Sequence, residues 1–187
     1  AGYAWIAPTG EKEAKVGVGI INDFVRDANI HNLQESFINN IKHISQGQTI
    51  EVHSGMLFAN RGIKKHALDN FLTIGDAAIQ VNPLVGEGIR HSLQSAEIAA
   101  EVIEHAFQSN DFSEHLLGSY NNKWKQYIGN RWKLSLLIRD HVQEVDDKKI
   151  DKFIESFAKY SPEEALEVIK GNFSLKSAYK IVPGLIF

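Results

Sequence analysis

The 187-residue chain contains no cysteine, which excludes a disulfide framework and any thiolate metal site. That absence fits a reducing compartment, and a cytoplasmic location is the expectation. Long apolar runs are missing too. No window reaches the ~18 to 20 consecutive apolar residues of a membrane span, and residues 1–20 do not resemble a charged, apolar, cleavable leader. A soluble protein is expected, with peripheral membrane contact kept open. No excess of charge of one sign exists: 20 Lys and Arg stand against 23 Asp and Glu, a net charge of -3. Nothing in that balance calls for a nucleic-acid partner. Eight histidines are present, but none forms His-x-His or His-Glu-x-x-His, so no metal site is expected. Ser54 lies in no Gly-x-Ser-x-Gly elbow, which argues against a hydrolase.

What is present reads as an α+β arrangement. Residues 1–7 and 15–21 are extended in character and are separated by "PTGEKEAK", whose Pro8, Gly10 and charges suit a hairpin loop. Period two then puts Tyr3 and Trp5 on one face of the first strand. Leu33, Phe37, Ile38, Ile41 and Ile44 repeat as in an amphipathic helix ending near Gly47, and "TIEVHSGML" reads as a further strand. "FLTIGDAA" is a short apolar run closed by Gly75 and Asp76, as expected of a buried strand finishing at a turn. A long helix is expected from close to Gly86, with Ile89, Leu93, Ala96, Ala100, Ile103 and Phe107 as its inner face. From Phe112 onward the pattern is helical. Leu116, Leu117, Tyr120, Trp124, Tyr127, Ile128 and Trp132 form the stripe expected to pack that segment. Ser161 as cap, Pro162 as first residue and Gly171 as stop delimit a last helix.

The stretch that carries chemistry is the strand end at Gly75-Asp76 followed by Asn82-Pro83-Leu84-Val85-Gly86-Glu87-Gly88 opening the long helix. A carboxylate at a strand's carboxyl end can accept hydrogen bonds from a polyol. Glycines at a helix start let backbone N–H groups approach a planar ligand, and the helix N-terminus favours an anion. Taken singly, Asp76 could cap a turn, and Tyr3 and Trp5 could be strand core.

"GDAAIQVNPLVGEGIRHSLQSAEIAAEVI" resembles the second FAD-binding motif of flavoproteins with the para-hydroxybenzoate-hydroxylase-like fold, in the geranylgeranyl reductase family. Hydroxylases of that fold commonly carry His where this chain has Ile79, which favours the reductase branch. The resemblance implies FAD as cofactor, Asp76 on the ribityl chain, and Pro83, Gly86, Glu87, Gly88 and Ile89 against the isoalloxazine ring. "YAWIAP" is similar to the family's aromatic strand motif at Tyr3, Trp5 and Pro8, with Ala7 in place of Phe, and implies a wall of a prenyl-substrate pocket. "LLGSYNNKWKQYIGNRW" is similar to the family's C-terminal helices at Tyr120, Trp124 and Gly129. The implied activity is reduction of isolated prenyl C=C bonds of a lipid or chlorophyll precursor. An external donor, NAD(P)H or ferredoxin-like, would supply the electrons.

A complete Gly-x-Gly-x-x-Gly turn, which holds the ADP pyrophosphate in such flavoproteins, is missing. Gly17 begins only "GVGIIN" and Gly86 only "GEGIRH". The expectation is therefore the C-terminal portion of a larger flavoprotein, binding FAD poorly by itself. Residues 1–68 would be an incomplete antiparallel substrate-binding domain, 69–108 the end of an α/β FAD-binding domain, and 109–187 a helical segment. A quinone-linked dehydrogenase, a hydroxylase or a non-catalytic interaction module are the alternatives.

Overall fold

The structure is a computed structural model that describes residues 2–20, 29–143, 148, 151, 154, 155, 158 and 160–170. Two compact units divide the chain, Ala1–Gly55 and Met56–Phe187.

In the first unit, β1 (Gly2–Pro8) and β2 (Ala14–Ile20) form the expected antiparallel hairpin. The register sets Tyr3 opposite Gly19 and Trp5 opposite Gly17. Each aromatic ring thus has a cross-strand neighbour without a side chain, and the Trp5 ring occupies the space a Cβ on Gly17 would need. Helix α1 (Ile30–Asn39) starts at Asn29, whose Oδ1 accepts the His31 N–H at 2.9 Å, an N-cap satisfying one orphan donor. The expected continuous helix breaks at Asn39-Asn40, residues of weak helix propensity. Asn40 turns its side-chain amide onto the Ser36 carbonyl at 2.8 Å, and a separate turn, α2 (Lys42–Ser45), follows.

The expected strand over "TIEVHSGML" does not form. Its residues Ile50, Val52, Met56 and Leu57 are exposed, and among the described residues no strand lies beside them to complete a ladder. A strand without a partner leaves its backbone groups unpaired.

In the second unit, β3 (Ala67–Leu68) and β4 (Phe71–Leu72) make a minimal hairpin whose turn residue Asn70 has φ 57°. Asn tolerates this left-handed conformation better than most residues. A 3-10 turn over Gly75–Ala78 replaces the rest of the expected strand. Four helices follow: α3 (Ile89–Ser109), α4 (Glu114–Leu117), α5 (Ser119–Ile128) and α6 (Arg131–Gln143). The core joins Ile98, Ala99, Val102 and Ala106 of α3 to Leu117, Tyr120, Trp124, Ile128, Trp132 and Leu136. The aromatic stripe on the later helices is therefore core, as its spacing indicates.

Helix α3 buries the opposite face from the one its large apolar residues indicate. His91, Ser95, Ile98, Ala99, Val102 and Ala106 are buried, whereas Ile89, Leu93 and Phe107 are 80%, 69% and 70% exposed. The α5 rings of Trp124 and Tyr127 lie edge-on to His91 on that buried face. The last described helix, α7 (Pro162–Ile169), opens with a reciprocal capping box. The Ser161 N–H donates to Glu164 Oε2 at 3.0 Å, and the Glu164 N–H donates to Ser161 Oγ at 3.3 Å. Its expected stop, Gly171, lies outside the described residues.

Candidate functional site

The turn that carries Asp76 is built from unusual backbone. Gly75 has φ +63° and Ile79 has φ 55°, and a left-handed Ile is costly unless neighbours hold it. They do: Ile79 N–H donates to Asp76 O at 2.9 Å and Gln80 N–H to Gly75 O at 3.0 Å. The Gln80 side chain, 1% exposed, takes the Gly75 N–H on Oε1 at 2.6 Å and donates from Nε2 to the Tyr120 hydroxyl at 2.8 Å. Asp76 itself stays exposed.

The second turn is organised by Asn82, a buried residue. Its Oδ1 accepts the Leu84 N–H at 2.9 Å, its carbonyl accepts the Gly86 N–H at 2.9 Å, and its N–H donates to Glu87 O at 2.8 Å. Pro83 is buried inside this loop. Gly86 has φ +69°, a conformation open to glycine. Gly88 serves differently: a Cβ there would stand 3.1 Å from Asp76 Oδ1 and 3.3 Å from Val81 Cγ2. Asp76 and the helix N-terminus, 12 positions apart in sequence, thus meet at Gly88.

Glycine 88 is also the N-cap of α3, and no side chain bonds at that cap. The Arg90 N–H is taken by Glu87 Oε1 at 2.9 Å. Glu87 further accepts Arg90 Nη2 at 3.1 Å, while Arg90 Nη1 reaches the Tyr127 hydroxyl at 3.1 Å. Behind this cluster sits His91, with a side chain 3% exposed and rings of Trp124, Tyr127 and Trp132 edge-on around it. Burial, aided by the Arg90 charge, lowers its pKa to about 4, so the imidazole is neutral at pH 7. Its Nδ1 has no hydrogen-bond partner among the described residues.

In front of the turns is an open groove of about 470 Å³ lined by Leu57, Asp76, Val81, Gly86, Gly88, Ile89, Ser92 and Leu93. Asp76, Gly86, Gly88 and Ile89, expected from the sequence motif, are brought together in this lining. Pro83 and Glu87 do not line the groove: Pro83 is buried in the Asn82 turn, and Glu87 accepts the Arg90 N–H. Tyr3 and Trp5 lie side by side on the hairpin, ring centroids 5.7 Å apart, and Pro8 ends the same strand. Gln80, Arg90 and Tyr127 carry no sequence signal of a role at the turns. Asn82 belongs to the motif stretch and Tyr120 to the family-like C-terminal helices, but neither pattern specifies the bonds they make here. Among the described residues no cluster of acidic and imidazole groups could hold a metal, and no helix is long and apolar enough to cross a membrane.

Fold and groove define a class: a mixed α+β fragment in which a carboxylate-bearing turn meets a glycine turn at the start of a long helix. A family model described as the geranylgeranyl reductase catalytic domain matches residues 1–57. A digeranylgeranylglycerophospholipid reductase of Picrophilus torridus is 29% identical over 176 residues, 91% of this chain and 44% of that protein. Digeranylgeranylglycerophospholipid reductase 2 of Methanosphaera stadtmanae is 32% identical over 163 residues, 87% of this chain and 41% of that protein. A crystal structure of a geranylgeranyl bacteriochlorophyll reductase-like protein from Thermoplasma acidophilum superposes with a TM-score of 0.80 at 25% identity, covering 99% of this chain and 48% of the other. The chain belongs to the geranylgeranyl reductase family, and it spans less than half the length of these relatives.

Proposed function

We propose that the full-length protein is an FAD-dependent oxidoreductase that saturates isolated prenyl double bonds of a lipid. The observation that carries this reading is the convergence of the Asp76 carboxylate on Gly88 at the N-terminus of α3. The residues suit a flavin: an exposed carboxylate for polyol hydroxyls, a glycine flank where a Cβ would crowd that carboxylate at 3.1 Å, and an open groove beside them.

When bound, FAD supplies hydride transfer to the substrate. Asp76 accepts hydrogen bonds from ribityl hydroxyls. Gly86, Glu87, Gly88 and Ile89 set their backbone against the ring, where the positive end of a 21-residue helix favours the negative charge of the reduced state. Pro83 fixes the loop that carries them. Tyr3, Trp5 and Pro8 wall the prenyl channel, which holds an apolar chain and excludes water. The substrate class follows the relatives' names, which specify a digeranylgeranylglycerophospholipid. The domain division read from the sequence, 1–68, 69–108 and 109–187, belongs to the same proposal, as do an external NAD(P)H or ferredoxin-like electron donor, a cytoplasmic location and peripheral membrane contact.

The test is mass spectrometry of a digeranylgeranyl lipid incubated with the full-length protein, FAD and a chemical reductant. A gain of about two mass units per reduced bond is expected. No gain on any prenyl substrate would sink the reductase reading in favour of a quinone-linked dehydrogenase or hydroxylase. Failure to take up FAD at all would favour a non-catalytic interaction module.

A further inference from the structure

Helix α5 does not reach the groove, yet its hydroxyls hold both turns that form it. Tyr120 and Tyr127 are seven residues apart, two helical turns to within about 20°, so they project from one face at levels roughly 10 Å apart. Tyr120 is fully buried. Its hydroxyl accepts Gln80 Nε2 at 2.8 Å, and Gln80 Oε1 in turn holds the Gly75 N–H at 2.6 Å. The Ser95 hydroxyl of α3 also bonds to the Tyr120 phenol. Tyr127 accepts Arg90 Nη1 at 3.1 Å, and Arg90 holds Glu87 through Nη2 at 3.1 Å and through its own N–H at 2.9 Å. One chain of bonds therefore ends one residue before Asp76, and the other ends one residue before Gly88.

We infer that Tyr120 and Tyr127 are positioning residues for the flavin-facing turns, with Gln80 and Arg90 relaying the placement. Packing needs aromatic rings at these two positions, but it does not need hydroxyls. In the buried Gln80–Tyr120 pair a deleted hydroxyl leaves the Gln80 amide without its partner, and a buried polar group in that state costs more than the bond contributed. Relief comes when Gln80 rotates away, which releases the Gly75 N–H and with it the left-handed turn that aims Asp76. The Tyr127 arm is half-buried and Arg90 keeps Glu87 without it, so its loss acts more weakly and on Gly86–Gly88. This inference rests on the flavin reading, and its consequences can be measured with or without flavin.

The experiment uses the full-length protein and the variants Tyr120→Phe, Tyr127→Phe and Gln80→Met, with Trp124→Phe as a packing control. Hydrogen–deuterium exchange reads the turns, fluorescence titration reads the FAD Kd, and redox titration reads the potential of bound flavin. Tyr120→Phe and Gln80→Met are expected to speed exchange at 75–80 and to raise the FAD Kd roughly tenfold, about 1.4 kcal/mol. Combined, they should exceed neither single variant, since both cut one chain. Tyr127→Phe should raise Kd about threefold and make the flavin potential more negative, because the helix start at the ring is loosened. Trp124→Phe should lower Tm without moving Kd or potential. A drop in Tm with unchanged Kd and potential in the Tyr and Gln variants overturns the inference. Should the wild type take up no FAD, the flavin reading falls. The positioning role is then decided by exchange alone, and unchanged rates at 75–80 and 86–90 overturn it. If Tyr120→Phe does not fold, Gln80→Met carries the same comparison.

Discussion

Two groups of aromatic residues in this chain occupy opposite environments. On β1, Tyr3 and Trp5 keep 57% and 42% of their surface exposed, although each faces a glycine across the hairpin. In the second unit Tyr120, Trp124 and Trp132 keep 0%, 7% and 9%, packed around α3 and the neutral His91. Burial on that scale makes the second group a source of stability. The first group contributes little to the core of this chain and presents apolar, flat surface outward. The two groups therefore separate aromatics that hold the fold together from aromatics whose faces stay exposed.

The largest effect expected is on the buried group. Trp124→Ala should cost about 3–5 kcal/mol, the range for deleting a core aromatic, and lower Tm by roughly 10 °C or more in a domain of this size. Thermal unfolding followed by circular dichroism checks it. If Trp5→Ala lowered Tm as far, the distinction between the two groups would be wrong.

Acidification probes the same core through His91. Its folded pKa of about 4 lies below the ordinary 6.5, so the unfolded chain binds more protons between those values. Stability is thus complete above pH 6.5 and is lost as pH falls toward 4, with a limit on the order of 3 kcal/mol at 1.4 kcal/mol per pKa unit. Urea midpoints at several pH values measure it. His91→Gln should flatten the profile but leave a residual slope of the same sign, because burial also lowers the pKa of His66.

How far the sequence revealed this arrangement depends on whether the determining contacts were local. The hairpin, the Asn82–Gly88 turn and the Ser161 capping box rest on residues within a few positions of one another, and their patterns were readable. Helix α3 buries a different face from the one its large apolar residues mark. A 3.6-residue stripe of large apolar residues normally marks the buried side. Here Ile89, Leu93 and Phe107 face outward, and the side that joins the core with the rings of α5 carries His91, Ser95, Ile98, Ala99, Val102 and Ala106. The strand over "TIEVHSGML" has an alternating pattern but no described partner strand. Periodicity specifies a face or an extended segment; it does not specify what will pack on it. In the groove, Asp76 and the glycines were legible as a motif. Tyr120 and Tyr127 were not, since 40 and 37 residues separate them from Gln80 and Arg90.

A smaller effect on stability is expected at the groove. Gly88→Ala keeps an ordinary backbone conformation, φ -115°, so folding should lose only about 1 kcal/mol, the typical cost of a point substitution. Its Cβ nevertheless stands 3.1 Å from Asp76 Oδ1 and displaces the carboxylate. FAD affinity should fall at least tenfold, which fluorescence titration reads directly. Unchanged affinity would remove Asp76 from the flavin contact.

Trp5→Ala is the smallest expected change in stability and the sharpest test of the exposed group. The ring lies over Gly17, and cross-strand pairs of this kind contribute about 0.2–1 kcal/mol, so Tm should fall by only ~1–4 °C. In the full-length protein, loss of the ring should raise the KM for a prenyl lipid while the FAD Kd stays at the wild-type value. Tyr3→Ala should act in the same direction, its ring being 5.7 Å from that of Trp5. Substrate and flavin binding weakened in equal proportion would show that the rings hold the hairpin in place. Weakened lipid use with intact flavin binding would make them the wall along which the lipid lies.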